Sequence, residues 1–162
     1  MNAKSVAVQA DRLPGVAIAL LLAAASCAQL PPTSSVVIPP IPAGEARLWF
    51  YRDYEPSETL ARPYVRLNEQ VTGISEPGGA FYRDVAPAHY SVPVDSAGRD
   101  VNQFADIDLA AGQVVYVKVL SLRSWLDDDC IPWGGCDTFY VRLVPAEAAR
   151  AAIARSPFYD SG

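Results

Sequence analysis

From residue 46 onward, short β-type runs alternate with turn residues, and this rhythm constrains the fold more than any other feature of the chain. The runs are ARLWFYR (46–52), PYVRLN (63–68), QVTGI (70–74), AFYRDV (80–85), HYSVPV (89–94), QFADIDL (103–109), VVYVKVLSL (114–122) and FYVRLV (139–144). Each alternates apolar with polar residues or is rich in β-branched and aromatic side chains, as strands are. Asn68-Glu69, Pro77-Gly78-Gly79, Ala86-Pro87-Ala88 and Ala110-Ala111-Gly112 supply the turns between them. The pattern predicts a mainly β domain, an antiparallel β-sandwich or open barrel of seven to eight strands. One helix is expected at the C-terminus, from Ala146 to Arg155, after a boundary set by Pro145. Ala149 and Ile153 share one face of that helix, and Glu147 and Arg150 stand where they can pair.

Period-two alternation sorts the strand residues onto two faces. Leu48, Phe50, Phe81, Val85, Val115, Val117, Val119, Phe139, Val141 and Leu143 fall on the expected core face. The opposite face carries Trp49, Tyr51, Tyr82, Tyr116 and Tyr140, interleaved with Arg47, Lys118 and Arg142. Tyrosine and tryptophan combine apolar area with a polar tip, which suits partner surfaces and sugar rings. Trp49, Tyr51, Tyr116 and Tyr140 are therefore candidate partner-binding residues. The alternative is that these rings pair across strands and the C-terminal helix covers them.

The N-terminal region speaks about location. Lys4 and Arg12 precede an apolar run, Val16 to Ala25, that ends in Ala25-Ser26-Cys27. Ten apolar residues suit a secretory signal, whereas a spanning helix needs about twenty. The segment resembles a bacterial lipoprotein signal, which implies that residues 1–26 are removed and that Cys27 is lipidated. Ala28 follows the cysteine where an inner-membrane-retained lipoprotein tends to have aspartate. The resemblance therefore implies an outer-membrane, periplasm-facing anchor. The competing expectation is cleavage after Ala28, because Ser26-Cys27-Ala28 also fits a small-x-small site, and this would release a soluble periplasmic or secreted protein. Residues 27–44 hold five prolines and no charge. They read either as a stiff spacer that could stand the domain off the membrane by up to roughly 50 Å or as a disordered tail. The domain proper is expected over residues 45–162.

Without Lys4, Arg12 and Asp11 the chain carries 11 basic and 17 acidic groups, a net charge of −6. That balance argues against nucleic acid and against electrostatic docking on anionic lipid, so membrane attachment would rest on acyl chains. Cys130 and Cys136 are the other cysteines. In an oxidising compartment they are most simply a disulfide closing a small Pro- and Gly-containing loop, worth roughly 2 kcal/mol. Trp125 and Trp133 flank Cys130 and form a second candidate partner-binding element, a loop tip held by that bond, or a plug folded back on the sandwich.

Several motifs in order resemble domain of unknown function 2846, a bacterial lipoprotein family, and more loosely PEGA-type surface β modules. ARLWFYR, PYVRLNEQVTGIS, GGAFYRDVAPAHYSV and DLAAGQVVYVKV carry the resemblance over residues 46–119, about half the chain. Pro87-Ala88 stands where the family usually has Pro-Gly, and Glu69 where it usually has a hairpin glycine. The resemblance implies a β-sandwich in a lipoprotein context and brings no catalytic residue.

No nucleophile motif accompanies His89, the single histidine. Asp127-Asp128-Asp129 with Asp137 lack EF-hand spacing, so a solvated acidic loop is expected there in place of calcium. Zinc would need four good ligands, which the chain does not offer in a recognisable spacing. Asp106 and Asp108 share a strand face, and two carboxylates alone do not make a hydrolase. The expectation is a non-enzymatic envelope lipoprotein with no cofactor or metal. It would engage another envelope protein or, alternatively, peptidoglycan or another cell-wall polysaccharide.

Overall fold

The computed structural model describes residues 30–56, 58–123 and 137–159. The strands are β1 (Ala46–Tyr51), β2 (Tyr64–Leu67), β3 (Gln70–Ile74), β4 (Ala80–Val85), β5 (His89–Val92), β6 (Ala105–Asp108), β7 (Val114–Arg123) and β8 (Asp137–Val144). Among the described residues one helix, α1 (Ala146–Arg155), follows Pro145, and a 3-10 turn covers Thr33–Ser35. The mainly β class and the C-terminal helix are as the sequence predicts, and the sheets do not close into a barrel.

Four strands form the principal sheet in the order β4-β1-β7-β8. The sheet is mixed where the sequence predicts antiparallel pairing throughout: β1 runs antiparallel to β4 but parallel to β7, and β7 is antiparallel to β8. A parallel neighbour requires a long crossover, and the chain between β1 and β7 uses that crossover to build a second layer. Hairpins β2–β3 and β5–β6 make up that layer. Backbone bonds from Arg66 N to Pro93 O, Asn68 N to Ser91 O and Asp95 N to Tyr64 O join them edge to edge at 2.9 Å each.

The core lies between the layers. Leu48, Phe50, Val117, Val119 and Val141 of the principal sheet meet Val65, Leu67, Val92, Ile107 and Leu109 of the second. Burial of each such side chain contributes about 1.5–3 kcal/mol. Phe50 and Phe81 stack across β1 and β4 with centroids 4.9 Å apart. Val85 and Val115 are only partly buried, and Leu143, expected in the core, is 46% exposed. Leu143 stands near the end of β8, the outermost strand of the sheet, so its neighbour on one side is solvent.

The far face of the principal sheet is also covered. All six residues of β1 are buried, as in strands packed on both sides. Ala149 and Ile153 of α1 press on Trp49, Tyr51, Ala80 and Tyr116, with Ile38, Tyr82 and Phe158 packed around them. Trp49, Tyr51, Tyr116 and Tyr140 are each at most 9% exposed, so the aromatic face is a second core and not an open docking surface. Arg150, which the sequence pairs with Glu147, instead donates from Nε to the Tyr116 hydroxyl at 3.1 Å.

The Pro-rich segment does not stand away from the domain where it is described. Thr33 is buried, and its N–H donates to Ser156 O at 2.8 Å. Phe158 N donates to Pro31 O, and Ala80 N to Pro157 O, both at 3.0 Å. Residues 31–33 and 157–159 thus extend the principal sheet beyond β4. Further along, Pro39 O accepts from the Arg47 guanidinium at 2.8 Å.

Candidate functional site

Among the described residues, two outer faces are available, and one of them is bare. α1 and the N-terminal segment cover the principal sheet, whereas the outer face of the second layer meets solvent. Val65, Leu67, Val92, Ile107 and Leu109 point inward, so alternation turns Tyr64, Arg66, His89, Ser91, Phe104, Asp106 and Asp108 outward. The register sets His89 opposite Asp108 and Ser91 opposite Asp106.

The turn that positions this face is unusual for its sequence. Asn68 and Glu69 both have positive φ, 47° and 69°, the signature of a two-residue hairpin turn. Asn68 then ties the two hairpins together. Its Oδ1 accepts from Ser91 N at 2.9 Å, and its Nδ2 donates to His89 O at 3.3 Å. Asn68, Glu69, Ser91, Pro93 and Phe104 line a surface depression of about 440 Å³, with Phe104 half-exposed at its side.

Charge on this face is mostly acidic. Arg66 and Asp95 form a bidentate pair, Nε to Oδ1 at 2.7 Å and an outer nitrogen to Oδ2 at 3.0 Å, so these two charges offset each other. His89 Nδ1 lies 2.9 Å from Asp108 Oδ1, and its Nε2 lies 4.0 Å from Asp106 Oδ1. The imidazole is well exposed and both carboxylates are more than half exposed, so water solvates the group on all open sides. A histidine beside two exposed carboxylates can accept or donate a hydrogen bond to a ligand. Among the described residues, no three His, Cys, Asp or Glu side chains converge to hold a metal ion.

A second polar cluster is buried and structural. Arg52, at the end of β1, is 1% exposed and donates to Ala61 O at 2.8 Å, to Thr59 O, and to Ser121 Oγ at 3.1 Å. Burial pushes its guanidinium pKa down, while Glu58 and Asp137 oppose that shift. Thr59 Oγ1 donates to Asp137 Oδ2, and Ser121 Oγ to Glu58 Oε2. The cluster pins the 58–61 loop to the stem of the β7–β8 connection. That connection, residues 124–136, contains Trp125, Cys130, Trp133 and Cys136, and these lie outside the described residues, as does Cys27.

Of the residues the sequence nominates for partner binding, Trp49, Tyr51 and Tyr116 are gathered under α1. Tyr140 is buried on the outermost strand β8, its hydroxyl donating to Asp100 Oδ2 at 2.6 Å. That bond holds the Asp100 carboxyl below, and the Tyr140 hydroxyl above, its usual pKa. The residues missed are Asn68, Ser91 and Phe104. For Phe104 a signal existed: it shares strand parity with Asp106 and Asp108, whose common face the sequence does reveal.

The chain matches no protein-family model, no curated protein and no solved structure.

Proposed function

We propose that this protein is a non-enzymatic lipoprotein of the cell envelope whose β domain docks a protein partner on the bare face of its second layer. The observation that carries the docking surface is the contrast between two sheet faces. One is sealed by α1 and the N-terminal segment, while the other leaves Phe104 half-exposed beside a 440 Å³ depression rimmed by Asn68, Glu69 and Ser91. An aromatic anchor ringed by polar groups is the usual composition of a protein interface centre. Glu69, Asp106 and Asp108 suit a partner whose facing surface is basic or neutral.

The anchor rests on the run from Val16 to Cys27 and on the resemblance to the lipoprotein family. The periplasm-facing outer membrane rests on Ala28. Against catalysis stands the openness of the His89 group, where water competes for every bond a substrate would make.

A second reading has its own support. An aromatic ring next to amide and hydroxyl side chains also fits the face and rim of a sugar, so cell-wall polysaccharide is the alternative ligand.

Cross-linking in the native membrane, with wild-type protein beside Phe104→Ala, separates these readings. The expected result is one recurrent protein whose capture falls about tenfold in the variant, equivalent to roughly 1.4 kcal/mol of lost contact. Because Phe104 is half-exposed, the melting temperature should stay the same. Capture that is indifferent to Phe104 contradicts the assigned surface, and capture of sugar polymer alone favours the second reading.

A further inference from the structure

We propose that the domain edge formed by residues 30–36 and 157–159 lies directly against the bilayer that holds the Cys27 anchor, so that the linker gives the domain no stand-off. The inference rests on the lipoprotein reading above and adds to it the orientation of the domain.

Chain reach is the first argument. Leu30 is three residues past Cys27, and three Cα steps span at most about 11 Å. Immediately after Leu30 the chain is locked to the domain. Pro31 O accepts from Phe158 N at 3.0 Å, and Thr33 donates to Ser156 O through both its N–H at 2.8 Å and its Oγ1 at 2.9 Å. Pro31 and Pro32, the first two prolines of the segment that reads as a spacer, are therefore part of a sheet edge. A lipidated Cys27 seated at the membrane surface places Leu30 within about one headgroup layer of it.

The chemistry of that edge fits its neighbour. Leu30, Pro31, Val36, Ile74, Phe158 and Tyr159 line a depression of about 500 Å³. Glu76, the charged residue on its wall, is neutralised by Arg62 at 2.9 Å. Tyr159 is amphipathic, as side chains at the headgroup level tend to be. The acidic net charge of the mature chain gives anionic lipid no reason to attract other faces. The occupant assigned to this edge is the headgroup and upper acyl region of the bilayer.

The consequence is an orientation. Crossing the principal sheet from this edge, the order is residues 31–33, residues 157–159, β4, β1, β7, β8 and then Gln103, whose carbonyl accepts from Val141 N at 3.2 Å. Six steps at ~4.8 Å separate the two edges by roughly 29 Å. Val101, 74% exposed, and Phe104 belong to the distal side. The Phe104 end of the surface assigned to the partner therefore lies at the edge remote from the membrane, while Ile74 of β3 in the same layer lies at the near edge.

The test uses the full chain, expressed with its leader and purified from membranes, then placed in vesicles of phosphatidylethanolamine and phosphatidylglycerol. The photoreactive residue p-benzoylphenylalanine replaces Leu30, Tyr159, Val101 or Phe104, one at a time. Membrane-held protein that forms phospholipid adducts severalfold more from positions 30 and 159 than from 101 and 104 supports the apposition. Membrane-held protein with equal yields at all four positions, or higher yields at the distal pair, overturns the apposition and leaves the anchor standing. Protein that is not held by membranes at all overturns the lipoprotein reading and the apposition with it.

Discussion

At the residue scale, two side chains show how local geometry and sequence disagree or agree. Glu69 occupies a position with φ of 69°, where Cβ crowds the backbone and costs roughly 1 kcal/mol. Among the described residues its side chain forms no ion pair, and its carbonyl accepts from Arg66 at 2.9 Å. Glu69→Gly should therefore stabilise the domain by about 0.5–1 kcal/mol in urea denaturation, the relief of strain exceeding the added chain entropy. Arg52 is the opposite case. Its fork reaches two carbonyls and a hydroxyl at once from a position 1% exposed, with its ring-facing side 5.2 Å from the Phe139 centroid. Arg52→Lys keeps the charge and loses the fork, so it should cost on the order of 2–3 kcal/mol and free the 58–61 loop to proteolysis. A variant as stable as wild type would show that the cluster is incidental.

At the element scale, the eight strands and the helix were legible because each writes its own period into the sequence. Pro145 marks the start of α1, and Glu147 and Arg155 sit at the ends that the helix dipole favours. What periodicity cannot say is which neighbour covers an apolar face. Trp49, Tyr51 and Tyr116 look identical in sequence whether they meet a partner or a helix. The fate of the Pro-rich segment was hidden for a related reason. Proline removes a donor and so reads as spacer, but its carbonyl remains, and Pro31 O uses it to bind Phe158 N at a sheet edge. The bare face was half legible: Asp106 and Asp108 declare it, while Asn68 matters only because two hairpins meet beside it. If α1 is a structural lid on the aromatic core, Ile153→Ala should cost about 2–4 kcal/mol by denaturation. It should also leave binding through the Phe104 face unchanged once the protein is folded. Loss of binding without loss of stability would place function on the helix side.

At the scale of the whole molecule, the layers divide labour. The principal sheet is sealed on both faces and supplies rigidity, its proximal edge carries the entering chain, and the second layer turns an open acidic and aromatic face outward. A lipid-held domain with this arrangement is a short platform that carries the Phe104 end of its bare face about 3 nm from the bilayer, as six strand spacings imply. Platform and presentation both depend on the anchor proposed at Cys27. The most direct measurement is the intact mass and N-terminus of the mature protein extracted from cells. A chain beginning at Cys27, with the added mass of a diacylglyceryl group and an amide-linked acyl chain, in the membrane fraction is the expected result. A chain beginning at Gln29, without lipid and in the soluble fraction, would contradict it.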